Sequence, residues 1–296
     1  MSSSIAVLGP GAVGGALATR LSLAGYHVIC VGPPETIGLV ALAGIVVESR
    51  EGTLTARPEV RERLATPVRL LLVTVKAPLL EEALERVEPD AVESGVVLSL
   101  LNGLEHMEVV RGRFGDRVAA GSVSHYQAYR PGRVQIVEVS SAPLVTMASD
   151  TLPRTEVEAV ADLLRSAKVE VRVGQSEKRV LWHKAARISA LAAATSATGK
   201  TVGELRKDPV WRERLQHAIT EACTVAEADG VALRVGAQLA IVDEIADETT
   251  TSAARDVAAG RRSELDAIVG SVLRAGKRLG VETPTLRELA TTAGLP

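Results

Sequence analysis

The chain has 296 residues, 46% of them hydrophobic and 2% aromatic, and a formal net charge of −2. The length favours two domains, and the interleaved charges with few aromatic residues argue against a nucleic-acid partner. No apolar run approaches the roughly 20 residues that span a bilayer, and no signal-peptide pattern opens the chain, so we expect a cytoplasmic protein without a membrane partner.

The first apolar run, Ile5–Leu8, leads through a glycine loop into a helical pattern. The loop has the spacing G-x-G-x-x-G and consists of Gly9, Pro10, Gly11, Ala12, Val13 and Gly14. Its glycines permit a tight turn, a close approach of a pyrophosphate to the backbone, and packing of the helix on the strand. A second strand, His27–Val31, follows the helix. This context favours a dinucleotide-binding βαβ unit over a purely structural turn.

Short apolar strands and helical stretches alternate up to about residue 174. A hairpin is expected over residues 46–55, and the continuous apolar run Leu70–Val75 is typical of a parallel strand that is covered on both faces. Further strands are predicted at Val96–Leu100, Val118–Val123, Val134–Val139, Leu144–Met147 and Val169–Val173, with a helix near 154–167. We expect the strands Val134–Val139 and Leu144–Met147 to be antiparallel.

After residue 174 the pattern becomes helical, with no convincing strand. Helices are predicted at about 177–194, 208–229, 235–249, 262–280 and 284–293. The sequence therefore predicts an α/β protein with a Rossmann-like, doubly wound sheet domain over residues 1–174. An all-helical substrate and catalytic domain over 175–296 follows, and we expect an active-site cleft between the two.

Two polar residues follow predicted strands, at the sheet edge where ligands of such folds collect. Lys76 is either a cation beside the cofactor or a solvated residue at a helix start. Asn102, before Gly103, is either a polar contact to cofactor or substrate or a turn residue, and its place after a central strand favours the contact.

Two charged residues stand out in the helical half. Lys184 shares a helix face with Ile188 and Leu191, so it either snorkels to water or acts as a proton donor with a lowered pKa. Glu264 opens a predicted helix, where a carboxylate also suits the helix dipole.

No metal site is predicted from the remaining polar residues. The five histidines, at positions 27, 106, 125, 183 and 217, show no metal-ligand spacing. Cys30 and Cys223 lie in apolar patterns and are expected to be buried small hydrophobic residues.

These motifs together resemble the ketopantoate reductases (2-dehydropantoate 2-reductases). The similarity rests on Ile5–Gly14, Val73–Ala77, Leu101–Leu104, Leu181–Lys184, Ser263–Asp266 and Gly280–Pro284, in the same order and spacing over nearly the whole chain. The resemblance implies NAD(P)H-dependent reduction of a 2-keto acid to a 2-hydroxy acid, as in pantothenate biosynthesis.

The resemblance also implies roles for individual residues. Lys184 would be the general acid, Asn102 would position cofactor and substrate, and Glu264 would bind a substrate hydroxyl and orient the lysine. Ser252 would be a further substrate contact, and Lys76 would lie on the cofactor side together with the glycine loop.

The chain departs from the family pattern at two places. The family usually has asparagines one and two helical turns after the lysine, where this chain has Ile188 and Ala192. We therefore expect a substrate pocket that is less polar, or that opens differently, than one built for pantoate. Arg187 binds a substrate carboxylate or faces the surface. At the end of the second strand the family's arginine is replaced by Pro33, so NADP(H) is favoured by family habit alone and NAD(H) stays open.

Two alternatives to a ketopantoate reductase remain at this level. The chain could reduce another small hydroxy-acid precursor or an imine on the same architecture, or it could be a dinucleotide-binding sensor without turnover. The retained Asn102, Lys184 and Glu264 favour the enzyme. A homodimer is left open by the sequence.

Overall fold

The structure is a computed structural model that describes residues 4–124, 126–132, 134–139 and 143–295. It divides into two compact units: unit 1 is Met1–Leu101 with His106–Val180, and unit 2 is Asn102–Glu105 with Leu181–Pro296. Over the described ranges, none of the helices combines the length and the apolar character that crossing a bilayer requires.

The strands of the described residues all belong to unit 1. They are β1 (Ile5–Leu8), β2 (Val28–Val31), β3 (Ile45–Ser49), β4 (Gly52–Ala56), β5 (Glu59–Arg61), β6 (Leu70–Val73), β7 (Val96–Ser99), β8 (Val118–Ser124), β9 (Ala128–Tyr129), β10 (Gln135–Glu138), β11 (Leu144–Ala148) and β12 (Glu170–Val173).

Eight of these strands form the main sheet, in the order β12-β11-β8-β7-β6-β1-β2-β5. All pairs are parallel except β11 with β8. The central strands β1, β2, β6 and β7 are buried at every position, as expected for parallel strands covered on both faces. The predicted Rossmann-like sheet is therefore confirmed.

A second sheet has the order β4-β3-β10-β9. The predicted hairpin is present as the antiparallel pair of β3 and β4. The predicted antiparallel partnership of Val134–Val139 with Leu144–Met147 is wrong, because β10 pairs with β3 and β9, whereas β11 pairs with β8 and β12. The two strands belong to different sheets and differ in burial: β11 is almost wholly buried, whereas β10 buries only alternate residues. Residues 140–142 of the predicted connection lie outside the described residues.

The helices of unit 1 are α1 (Ala12–Leu23), α2 (Pro34–Ala43), α3 (Leu80–Leu84), α4 (His106–Phe114) and α5 (Arg154–Ser166), with 3₁₀ turns at Ala77–Leu79 and Pro89–Val92. The small sheet packs on α1. A Cβ at Gly15 would lie 2.6 Å from Cδ1 of Ile136, so this glycine permits close packing of helix and sheet. Arg20 also donates two hydrogen bonds of 2.7 Å to the carboxylate of Glu138, which is 3% exposed.

The helix α6 (Glu177–Thr198) begins in unit 1 and continues into unit 2. Unit 2 further contains α7 (Val202–Lys207), α8 (Pro209–Ala228), α9 (Val235–Asp243), α10 (Ser252–Ala258), α11 (Ser271–Leu279) and α12 (Pro284–Thr292), with a π-helical turn at Asp266–Gly270 directly before α11. The helical character of this half is confirmed.

Some predicted helix bounds in unit 2 are wrong. The helix expected over 235–249 ends at Asp243, and α7 and α10 were not predicted. Both are short helices fixed by their N-caps: the side chain of Thr201 forms a capping box with Glu204, and Thr251 accepts a hydrogen bond from the backbone of Ala254. Hydrophobic periodicity is weak over six or seven residues, so such helices escape a pattern search.

Candidate active site

The glycine loop joins β1 to α1. Gly9 has a φ of +86°, and a Cβ there would collide with Val75. A Cβ at Gly14 would lie 2.5 Å from the carbonyl oxygen of Gly9 and would collide with the hydroxyl of Thr74. Two of the glycines are therefore required by packing within the protein.

The remaining glycine of the loop faces open space. The nearest atom to a Cβ on Gly11 would be the Gly9 carbonyl oxygen at 3.9 Å, so the space above it could admit a ligand. Gly11 also caps α1 without a side chain, which leaves the N–H groups of the first turn to an anion. The loop thus fits the pyrophosphate of a dinucleotide.

Three further residues of unit 1 lie beside or after the strands β2 and β6. Lys76 is partly buried and directly precedes the 3₁₀ turn after β6. Pro33 precedes the first residue of α2, so the chain turns into a helix immediately after β2. Arg61, which the sequence did not single out, pairs with Val31 at the end of β2, and its side chain donates hydrogen bonds to Glu59 and Thr66. The place of Arg61 beside the end of β2 is evident from the pairing of β5 with β2, which the sequence pattern did not predict.

Lys184, Asn102 and Glu264 lie together in unit 2. The Lys184 ammonium donates a hydrogen bond of 2.7 Å to Oδ1 of Asn102, and Nδ2 of Asn102 donates one of 3.4 Å to Oε2 of Glu264. Lys184 and Asn102 are partly buried, and Glu264 is 8% exposed. The structure therefore brings together three residues that are separated by 82 and 162 positions in sequence.

Burial lowers the pKa of Lys184 from 10.5 to about 8. Within this net shift of the pKa, the guanidinium of Arg187 acts in the same direction as burial, and the carboxylate of Glu264 opposes both. An ammonium with this pKa is still mostly protonated at neutral pH, yet it gives up its proton more easily than an ordinary lysine.

The loop Asn102–Glu105 belongs to unit 2 and is held there by two sets of contacts. Gly103 has a φ of +95°, and a Cβ there would lie 2.9 Å from the carbonyl carbon of Ala267 in the π-helical turn. Arg274 donates hydrogen bonds of 2.9 and 2.7 Å to Glu105 and of 2.8 Å to Asp266. The glycine that follows Asn102 is therefore needed for close packing of the loop on the turn.

Glu264 lies directly before the same π-helical turn, and hydrogen bonds of its backbone and of the neighbouring Ser263 hold it there. The hydroxyl of Ser263 donates a hydrogen bond of 3.2 Å to the carbonyl of Ala253 in α10, and it accepts one from the backbone N–H of Leu265. The backbone of Glu264 accepts a hydrogen bond of 2.9 Å from Ile268. A π-helical turn next to functional residues is common, because it redirects the side chains before it. No pattern in the sequence predicts this turn.

The other expected substrate residues lie near this cluster in sequence but make different contacts. Ile188 is partly buried and Ala192 is fully buried on α6. Ser252 is the exposed first residue of α10, and α10 is attached to α6 by a hydrogen bond of 2.8 Å between Thr195 and Thr251. Over the described ranges, the structure gives no hydrogen bond from Ser252 to the cluster.

Other polar residues have structural partners. His106 is buried and shares a hydrogen bond of 2.9 Å with Ser99, and burial lowers its pKa to about 4. His125 lies outside the described residues. Within the described ranges, His, Cys, Asp and Glu form no group of three that could hold a metal ion.

A Rossmann-like sheet with a glycine loop, together with a lysine of lowered pKa, fits the class of NAD(P)-dependent oxidoreductases. The chain belongs to the ketopantoate reductase family: residues 5–146 match the family model of ketopantoate reductase PanE/ApbA, and residues 178–294 match the model of its C-terminal part. The resemblance inferred from the sequence motifs is therefore confirmed.

Full-length relatives are distant. A 2-dehydropantoate 2-reductase of Caulobacter vibrioides is 29% identical, covering 95% of each chain. An uncharacterized oxidoreductase of Bacillus subtilis (strain 168) is 24% identical, covering 95% of this chain and 94% of that protein.

Solved structures give the same fold. A family ketopantoate reductase of Ralstonia eutropha JMP134 superposes with a TM-score of 0.88 and 25% identity, covering 98% of this chain and 97% of that one. A D-mandelate dehydrogenase with NADH and anilino(oxo)acetate superposes with a TM-score of 0.89 and 21% identity over the same shares.

Proposed function

We propose that the chain reduces a 2-oxo acid to a 2-hydroxy acid with a reduced nicotinamide dinucleotide. In this proposal residues 1–174 form the dinucleotide-binding domain, and residues 175–296 form the substrate and catalytic domain. The observation that carries the proposal is the hydrogen-bonded series Lys184–Asn102–Glu264.

Each member of the series has a task in ketone reduction. The reduced nicotinamide, when bound, supplies a hydride to the carbonyl carbon. The Lys184 ammonium stabilises the negative charge that develops on the carbonyl oxygen and donates the proton. Asn102 holds Nζ of the lysine through its amide oxygen. The buried carboxylate of Glu264 keeps the ammonium charged, and it would bind the hydroxyl of a substrate that carries one.

Gly9–Gly14 and Lys76 are proposed to hold the dinucleotide. The open space above Gly11 and the free first turn of α1 support pyrophosphate binding. NADPH is favoured because of the family, while Pro33 at the end of β2 offers no charge that selects the 2′-phosphate. Parallel titrations with NADH and NADPH decide between the two.

Ile188, Ala192 and Ser252 are proposed to line the substrate site. Two of these three side chains are apolar, which supports a 2-oxo acid with a less polar tail than 2-dehydropantoate. Phenylglyoxylate is a suitable apolar candidate, because mandelate, its reduced form, is the substrate named for one structural neighbour.

The test is oxidation of NADH and NADPH in the presence of 2-dehydropantoate, phenylglyoxylate and aliphatic 2-oxo acids. Lys184→Ala should lower kcat by at least ~100-fold, because a positioned general acid contributes about that much, while dinucleotide binding is retained. Lys277→Ala, an exposed lysine of α11, is the matched control.

Two results would contradict the proposal. If Lys184→Ala turns over as fast as the parent, the lysine is not the proton donor. If the dinucleotide binds but no 2-oxo acid is reduced, a binding protein without turnover is the better description.

A further inference from the structure

We propose that Arg187 binds the carboxylate of the substrate, so that the site selects 2-oxo acids over their esters and over neutral ketones. This inference rests on the proposed reductase function. It concerns Arg187, for which the sequence allows either a contact to a substrate carboxylate or a place at the surface.

The guanidinium of Arg187 is partly buried and is bonded to neutral groups. Nη1 donates hydrogen bonds to the backbone oxygen of His183 and, at 3.2 Å, to Oε1 of Gln238 on α9. Gln238 is 1% exposed, so this second hydrogen bond anchors the guanidinium to a buried side chain. In the part of the chain that the structure describes, Arg187 has no carboxylate partner.

A partly buried guanidinium that is bonded to neutral groups lacks the opposite charge that usually stabilises a cation. Burial lowers the pKa of Arg187. Buried or half-buried charges normally pair with an opposite charge. The neighbouring Lys184 is a second cation, and Glu264 supplies one negative charge against these two. The cluster is therefore short of one negative charge, which an anionic substrate would supply.

The spacing of the two cations matches the chemistry of a 2-oxo acid. Residues three positions apart on a helix lie about 5–6 Å from each other at Cβ, and Lys184 and Arg187 have this relation on α6. The carboxylate of a 2-oxo acid is bonded directly to the ketone carbon. A substrate whose ketone oxygen meets Lys184 would thus present its carboxylate to the adjacent arginine.

The guanidinium also retains donors for this role. Both of its hydrogen bonds leave from Nη1, and within the described ranges Nε and Nη2 have no acceptor. A guanidinium binds a carboxylate best through two parallel N–H groups. The pair Nε and Nη2 forms such an edge, so Gln238 would orient the arginine while the substrate takes the free edge.

The test compares phenylglyoxylate with its methyl ester in the full-length protein. The parent should prefer the acid, and Arg187→Gln should lower the acid-to-ester ratio of kcat/KM by about 10- to 100-fold, mainly through KM for the acid, as expected for loss of a charge-assisted hydrogen-bonded pair. Arg187→Lys keeps the positive charge but lacks the two parallel N–H donors, so it should give an intermediate acid-to-ester ratio of kcat/KM. Arg179→Gln removes an exposed arginine of the same helix and should leave the ratio unchanged.

Oxamate, an unreactive 2-oxo acid analogue, separates failure of this inference from failure of the reductase proposal. Calorimetric titration of the dinucleotide-bound protein should detect oxamate in the parent and in Arg179→Gln but not in Arg187→Gln. If oxamate binds Arg187→Gln as well as the parent, or does not bind the parent, the inference is overturned. If oxamate binding follows Arg187 but neither phenylglyoxylate nor its ester is reduced, the carboxylate site stands and the reduction of this substrate does not.

Discussion

Replacing Lys184 by Met should stabilise the protein near neutral pH while it suppresses turnover. Burial lowers the pKa of Lys184 from 10.5 to about 8. A shift of one pKa unit corresponds to about 1.4 kcal/mol, so keeping this ammonium charged in the folded state costs about 3 kcal/mol. Methionine is similar in length and uncharged, but it leaves Oδ1 of Asn102 without a donor, which costs about 1 kcal/mol. The net gain in the free energy of unfolding is about 2 kcal/mol.

This gain should depend on pH with a defined sign. Between pH 8 and 10.5, set by the folded and ordinary pKa of Lys184, the unfolded chain binds a proton that the folded protein does not. The parent therefore becomes more stable as the pH rises through this window. The advantage of Lys184→Met shrinks over the same range and reverses above it, where only the lost hydrogen bond remains.

Urea unfolding followed by tryptophan fluorescence measures the effect in the relevant unit, because both tryptophans, Trp182 and Trp211, lie in unit 2. Lys277→Met is the control, and its unfolding free energy should change by less than ~0.5 kcal/mol, as for most surface substitutions. The reasoning is refuted if Lys184→Met is less stable than the parent near pH 7. It is equally refuted if the difference between the two proteins is the same at about pH 7 and about pH 10.

Three further predictions follow from packing and burial. Gly103→Ala forces a left-handed residue against a backbone carbonyl, so kcat/KM should fall by more than ~10-fold as Asn102 is displaced, which steady-state kinetics would measure. Glu138→Ala leaves the buried guanidinium of Arg20 unpaired and should lower the free energy of unfolding by about 3–5 kcal/mol, measured by urea titration with circular dichroism. Burial raises the pKa of the thiols of Cys30 and Cys223 to about 12 and about 11, so iodoacetamide should modify them only after unfolding, as mass spectrometry would detect.

The main sheet could be predicted from sequence because its signals are local. Parallel strands covered on both faces are continuous apolar runs, and the glycine loop marks the turn from β1 into α1. The small sheet gives no such signal: β10 pairs with β3 across about ninety residues, and its alternating burial fits several partners. The antiparallel pairing expected for β10 and β11 failed for this reason.

The candidate site was predictable residue by residue but not as a geometry. Asn102 was found because it follows a central strand, and Lys184 because a lysine among apolar residues on a helix face is unusual. The sequence did not predict how these two residues come together, because their proximity depends on the packing of Gly103 against Ala267 in a π-helical turn. Sequence patterns mark residues with unusual chemistry, whereas a contact between distant backbones has no local signature.

The energetics of Lys184 bear on the choice between an enzyme and a protein that only binds a dinucleotide. A snorkelling lysine would keep its ammonium in water with an ordinary pKa, whereas here burial lowers the pKa to about 8 and the ammonium is bonded to an amide. An apolar side chain at this place would make the fold more stable by the reasoning above, so stability does not explain the lysine. A binding protein would need only the glycine loop of unit 1. A lysine whose charge costs the fold about 3 kcal/mol lies beside a buried carboxylate and beside Arg187, which has no acid partner among the described residues. This is the arrangement expected where a proton must be delivered to a bound anion.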